Sequence, residues 1–200
     1  VPYAESLARQ RARRRAIHDG RAPEALWLLE HPPVVTLGRR PAPGTPDAGW
    51  LAARGVERHQ TERGGLATYH APGQLVAYLL VDLERRGLGV RHLVARIEDA
   101  VIGWLAGRGL DAGRREGLPG VWVGRDKIAA LGLHVQRGVS MHGLALNLDP
   151  DLAGFGLIVP CGVQDGGVTS VRQQQGSAPS PAAAAPSVGT ALIEIIEKRR

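Results

Sequence analysis

Four apolar runs follow one another closely in the second half of the chain, at residues 121–123, 127–135, Val139–Asn147 and 158–159, each bounded by Gly, Asp or Pro. This punctuation constrains the fold more than any other feature. Runs this short read as strands joined by tight turns. Residues 74–83 form a further apolar, β-rich run that predicts a buried strand. Upstream, residues 25–30 and Val34–Leu37 are strand candidates split by Pro32-Pro33, a pair that forbids helix and a central ladder at that point. Residues 56–60 predict another strand. Arg63-Gly64-Gly65 then turns the chain into Ala67–His70, which ends at the Pro72-Gly73 break.

Helical spacing is confined to the flanks. Residues 3–19 carry Leu7, Ala8, Ala12 and Ile17 before Gly20, and residues 91–108 carry Leu93, Val94, Ile97, Val101, Ile102 and Leu105 before Gly109. Residues 40–49, with three prolines and two glycines, predict a loop. The Gln, Ser, Pro and Ala of residues 173–187 predict a flexible linker. Residues 189–200 then predict a helix with Leu192, Ile193 and Ile196 on one face and Lys198, Arg199 and Arg200 at the end that favours cations. Strands in the middle and helices at the flanks make an α+β layout. The expected organisation is one domain over residues 1–172, a linker over 173–188 and a C-terminal helix over 189–200.

At 200 residues and 44% apolar content the chain can bury a real core. With four Trp, three Tyr and one Phe, that core must come mainly from Leu, Val and Ala. The net charge of +6 suits an acidic partner, an anionic membrane or nucleic acid, and equally a solvated basic surface. Five of the seven residues from 9 to 15 are Arg, without aromatic residues to stack on bases, so no nucleic-acid role is expected. One cysteine allows no internal disulfide and no multi-cysteine zinc site, which fits a reducing cytoplasm. No apolar run is long enough to span a membrane, and no signal segment opens the chain, so neither membrane insertion nor secretion is expected. The chain begins at Val1 and its one methionine is Met141, from which we expect a trimmed start.

Cys161 stands in Val159-Pro160-Cys161-Gly162. A lone cysteine is often a small buried hydrophobe. Here Pro160 restricts the backbone before it, and Gly162 leaves room for a substrate and a backbone N–H, as presentation of a nucleophile requires. A thiol with an ordinary pKa of about 8.5 wants a cation or base nearby. Lys127, His70 and His142 are the candidates. Lys127 opens an apolar stretch, so it is either partly buried with a lowered pKa or a solvated edge lysine. The stretch Arg63, Gly64, Gly65, Leu66, Ala67, Thr68, Tyr69, His70 lets backbone approach a ligand, or is an ordinary hairpin; it lacks the Lys-Ser/Thr ending of a phosphate loop. His142 and Asn147 flank Gly143-Leu144-Ala145-Leu146, small residues that line a pocket or merely turn a strand. The histidines have no metal-ligand spacing, so neither metal nor cofactor is expected.

Taken together, these segments resemble the octanoyl-ACP:protein N-octanoyltransferases, the lipoyl(octanoyl) transferase family. The resemblance runs through Glu30-His31-Pro32-Pro33-Val34-Val35-Thr36-Leu37-Gly38, residues 63–74, Gly120-Val121-Trp122, residues 127–132, His142 to Asn147, Pro160-Cys161-Gly162 and Thr169-Ser170-Val171. It implies a mixed β-sheet flanked by helices, like the catalytic domains of biotin and lipoate protein ligases. It also implies that Cys161 takes octanoyl, or lipoyl, from octanoyl-acyl carrier protein as a thioester. Lys127 would lower the thiol pKa and complete a Cys/Lys dyad. Residues 63–70, Ala130-Leu131-Gly132 and Gly143-Leu144-Ala145 would bind the acyl chain, supported by His142 and Asn147. The implied acceptor is a lysine on a lipoyl domain of a 2-oxoacid dehydrogenase complex or on the glycine cleavage H protein, and the enzyme is expected to act as a monomer. Its amine needs a base, a role Lys127 can fill if neutral. Ala71 stands where the family pattern has glycine, which narrows backbone freedom in that loop. The alternative on the same fold is an ATP-dependent lipoate or biotin protein ligase, which must activate a free carboxylate and uses no cysteine nucleophile.

Overall fold

The computed structural model describes residues 1–158 and 166–198. In chain order these hold α1 (Tyr3–His18), β1 (Ala25–Leu29), β2 (Val34–Leu37), α2 (Ala48–Ala52), β3 (Glu57–Gln60), β4 (Ala67–His70), β5 (Gln74–Leu80) and α3 (Val90–Ala106). There follow β6 (Gly113–Arg115), β7 (Leu118–Val123), β8 (Asp126–Gln136), β9 (Val139–Asn147), a 3-10 turn at Leu152–Leu157, α4 (Val171–Gln175) and α5 (Pro181–Glu197).

The strands form two sheets. An antiparallel sheet has the order β1-β5-β9-β8-β7-β6, and a small mixed sheet has the order β3-β2-β4, with β2 parallel to β3. The two prolines between β1 and β2 mark the place where the chain leaves one sheet for the other. On one face of the large sheet, α3 and α5 bury Leu93, Ile97, Leu105, Val188 and Leu192 against Leu75, Leu79, Ile128 and Leu146. Across the other face, α1 sets Ile17 against Val76, Tyr78 and Ala145. The small sheet has its own core of Val35, Leu37, Leu51, Tyr69 and Phe155. Both faces of the large sheet are covered, so β5 and β9 are buried at every position.

Three sequence expectations need correction. The segment expected as a flexible linker, residues 173–187, holds the end of α4 and the first turns of α5. Ser180 caps α5 by accepting from Ala183 N–H, Pro181 occupies its first turn, and Ala184, Val188, Leu192 and Ile196 recur every four residues on its buried face. Composition hid a cap and an apolar stripe, and Pro186 is tolerated because packing against α3, including the Trp104 Nε1 bond to Ser187 Oγ at 2.9 Å, outweighs one lost backbone bond. Second, the buried face of α1 is not the Leu7, Ala8, Ala12, Ile17 stripe: Ala8 and Ala12 are exposed, while Ser6 and Gln10 are buried. Gln10 is wanted inside because its Oε1 accepts from His142 N–H at 2.9 Å, a donor that the left-handed φ of 61° at His142 turns out of the ladder. Third, Ile158 is the extended residue ending the 3-10 turn, not the start of a strand, and Val159 lies outside the described residues.

Candidate active site

A cavity of about 540 Å³, including its open mouth, lies where the two sheets meet. The turn before β4 and β4 itself supply Arg63, Gly65, Leu66, Ala67, Thr68 and His70. From the large sheet come Lys127, Ala130, Leu131 and Gly132 on β8, His142 to Ala145 on β9, and Val76 and Tyr78 on β5, with Tyr3 closing one side from α1. The three segments that the sequence singled out thus converge. A second cavity of about 440 Å³ shares Ala67, Thr68, Lys127 and Ala130 with the first and continues past Trp122, Asn147, Phe155, Ile158 and Gly166 to Val168. Lys127 stands at the junction.

Close backbone approach shapes the walls. A β-carbon on Gly143 would lie 2.1 Å from the Ala77 carbonyl oxygen, and one on Gly132 would lie 3.0 Å from that of Gly64. Gly64 N–H donates to Leu133 O at 2.9 Å, pinning the turn onto β8. The buried Arg63 side chain is held by Thr36 Oγ1 at 3.0 Å and by the Gly64 carbonyl at 3.0 Å. Two expected residues point elsewhere. Gly64 serves the turn and does not line the cavity, and Tyr69 faces the small sheet's core, edge-on to Phe155 at 5.5 Å. Ala71 has no left-handed φ and packs with Val35 and Phe155, so alanine is unstrained there. The glycine that this loop requires is Gly73, at φ 87° and with a β-carbon position 2.2 Å from Asp149 O.

A buried polar chain leads away from the floor. His70 Nδ1 meets Gln74 Oε1 at 2.7 Å, Gln74 Nε2 donates to Asn147 Oδ1 at 2.8 Å, and Asn147 Nδ2 donates to Thr169 O at 2.9 Å. Asn147 therefore ties β9 to the strand-like segment after residue 165. That segment pairs with Lys127, whose N–H donates to Gly167 O and whose carbonyl accepts from Thr169 N–H, both at 3.0 Å. Cys161 itself lies outside the described residues; Ile158 and Gly166, the described residues on either side of it, line the second cavity.

Burial pushes His70 down to about 3, and burial likewise lowers His142, against the opposing pull of Glu62 at 3.9 Å. Both imidazoles are neutral near pH 7. His142 Nε2 has no hydrogen-bond partner among the described residues. In the unfolded chain a histidine titrates near 6.5, so as pH falls below that value the unfolded state binds protons that the native state refuses. Stability is therefore full above about pH 6.5 and falls toward pH 3, by about 2 kcal/mol between pH 7 and pH 5 from His70 alone. Urea titrations at the two pH values check this. His70→Gln should lose that share of the slope, and an unchanged slope would contradict a buried neutral His70.

Sequence reasoning missed Tyr3, Val76, Tyr78 and Phe155 as lining residues. No local pattern marks them: Val76 and Tyr78 reach the cavities through sheet pairing, and Tyr3 and Phe155 through the packing of α1 and of the 3-10 turn. A signal for Lys127 was present: of 25 basic residues only two are lysine, Lys127 and Lys198. A chain that otherwise uses arginine keeps an ammonium at the cavity junction.

Residues 2–193 match the model of the lipoyl protein ligase A/B catalytic domain, the class of protein that the two-sheet fold and its cavity define. Solved structures of similar fold include a putative lipoate protein ligase from T. acidophilum, with a TM-score of 0.65 and 19% identity over 88% of this chain and 71% of that one. An octanoyltransferase from Chloroflexus aggregans is 46% identical over 100% of this chain and 92% of its own length, and one from Aromatoleum aromaticum is 50% identical over 92% and 77%. The chain belongs to the octanoyltransferase family. None of the described helices is long and apolar enough to cross a membrane.

Proposed function

We propose that the chain transfers an octanoyl group from octanoyl-acyl carrier protein to a lysine of a lipoyl domain, acting as a monomer in the cytoplasm. The observation that carries this reading is the junction at Lys127. On one side, Leu66, Val76, Leu131 and Leu144 offer an aliphatic chain a place out of water; on the other, the cavity reaches the residues flanking the segment that holds Cys161. In the first step the Cys161 thiolate attacks the donor thioester, the new C–S bond forms, and the carrier sulfur leaves and takes a proton from water. In the second, the neutral amine of the acceptor lysine attacks the acyl-cysteine, the C–N bond forms, and Cys161 departs as a thiolate while the amine proton passes to water. Lys127 provides positive charge where thiolate is made and released. Both steps conserve an activated acyl group until the amide forms, so neither ATP nor a metal is called for. The net charge of +6 suits acidic carriers.

Octanoyl-acyl carrier protein, a lipoyl domain and this chain are expected to give octanoyl-lysine without ATP. The protein's intact mass should show one octanoyl group when the acceptor is withheld. Transfer that required free octanoate and ATP would replace this reading with a ligase. Each methylene removed from the donor gives up about 0.8 kcal/mol of burial, so hexanoyl donor is expected to react about fifteenfold less efficiently. Equal kcat/KM for the two would mean that the chain is not held in the cavity.

A further inference from the structure

Trp122 on β7 is 2% exposed. The β7–β8 ladder shifts register between Val121 and Trp122, which sets Trp122 opposite Lys127. The Lys127 ammonium lies 4.6 Å from the centre of the Trp122 ring and donates to the Pro119 carbonyl at 3.1 Å. Between these two contacts, Gly120 has φ 125°, and a β-carbon there would meet the Lys127 stem at 3.4 Å and Ala129 O at 2.5 Å. Glycine at 120 is required by this φ and by the Ala129 carbonyl, and it lies directly against the Lys127 stem. Gly120 N–H is fixed by Glu98 Oε1 at 2.9 Å, and Arg114 Nε holds the other oxygen of that carboxylate at 2.7 Å.

We infer that Trp122 is the positioning residue for Lys127: the indole face and the Pro119 carbonyl hold the ammonium as a fixed cation at the cavity junction, and Lys127 serves the reaction as a charge. The ring face attracts the cation and not the neutral amine, and an ammonium donates to a carbonyl more strongly than an amine does, so both contacts favour the protonated form. Among the described residues, the Arg115 guanidinium lies 4.8 Å from the centre of the same ring and opposes the ammonium, while the Glu98 carboxylate that fixes Gly120 is paired with Arg114. The inference deepens the octanoyl-transfer reading and rests on it. It replaces the neutral-lysine base with release of the amine proton to water.

Because the chain has two lysines, 13Cε-lysine labelling of the whole protein gives two signals, and Lys198→Arg assigns them. Lys127 should show an upfield ring-current shift and remain protonated to at least the ordinary lysine value of about 10.4. Fluorinated tryptophans placed at 122 alone keep the shape and drain the ring of charge. They should lower the Lys127 pKa stepwise and raise that of the single thiol, read from iodoacetamide rate against pH, by about half to one unit. Trp122→Phe should retain part of the effect. A Lys127 that titrates below about 9 overturns the fixed-cation role. A thiol profile that moves with Lys127→Ala and is flat across the fluorinated series overturns the role of Trp122 and leaves octanoyl transfer standing. If Lys127→Ala also leaves the thiol unchanged, the dyad fails and the inference fails with it; loss of octanoyl loading in the unaltered protein would reject the transferase reading itself.

Discussion

Cys161→Ser should lower kcat/KM for octanoyl transfer by at least about a thousandfold while leaving the unfolding free energy from urea titration within about 0.5 kcal/mol of the parent. The chain has one thiol, and a thiol is the most nucleophilic of the common side chains at neutral pH. A serine hydroxyl has to surrender its proton during attack, which calls for a general base. The Pro119 carbonyl and the Trp122 ring beside Lys127 favour its charged form, which lowers a thiol pKa and carries no lone pair with which to activate a hydroxyl. The intact mass of the serine variant should show no octanoyl adduct. Turnover within tenfold of the parent would remove the cysteine from the mechanism, whatever the family resemblance implies.

Gly143→Val should cost about 3 kcal/mol or more of folding stability and empty the cavity of activity at the same time. The β-carbon would sit 2.1 Å from the Ala77 carbonyl oxygen and 2.7 Å from Leu79 Cδ1, inside the β5–β9 ladder where Tyr78 is the register partner of Gly143. No rotamer relieves a clash between a β-carbon and a strand backbone, so β9 must move away from β5. That movement displaces Leu144 and Ala145 from the cavity wall. Gly113→Ala is the matched control: nothing lies within 4 Å of its β-carbon position, and it is expected to stay within about 0.5 kcal/mol of the parent. Equal urea midpoints for the two variants would show that the sheets are not packed this closely.

Three of the four strand runs of the second half were legible because their boundaries are chemical. Gly124 and Gly138, at left-handed φ of 58° and 75°, make the turns between β7, β8 and β9. Helix α3 was legible for the corresponding reason, its apolar residues recurring on one face. The first half of α5 was not, because alanine, proline and serine are read as low complexity until the Ser180 cap and the four-residue spacing of Ala184, Val188, Leu192 and Ile196 are seen together; the second half, from residue 189, was read as a helix. The face of α1 was misread for a different reason: Gln10 is buried to satisfy one backbone N–H on β9, far away in sequence.

Sequence alone determined the chemistry on offer: one thiol, two lysines, glycine-rich segments in a recognisable order, and an α+β layout. Tertiary structure decided what stands beside what. Residues 63–70, β8 and β9 become three walls of one cavity only after β4 joins β2 in the small sheet and β5 separates β1 from β9 in the large one. The surroundings of Lys127 depend on a one-residue register shift opposite Trp122, on the close approach of Gly120 to the Ala129 carbonyl, and on the Val168 segment pairing alongside. Apolar periodicity and turn residues are written locally in a chain, so they can be read from it. Register between strands is set by side chains distant in sequence packing at once, and only the folded molecule states the result.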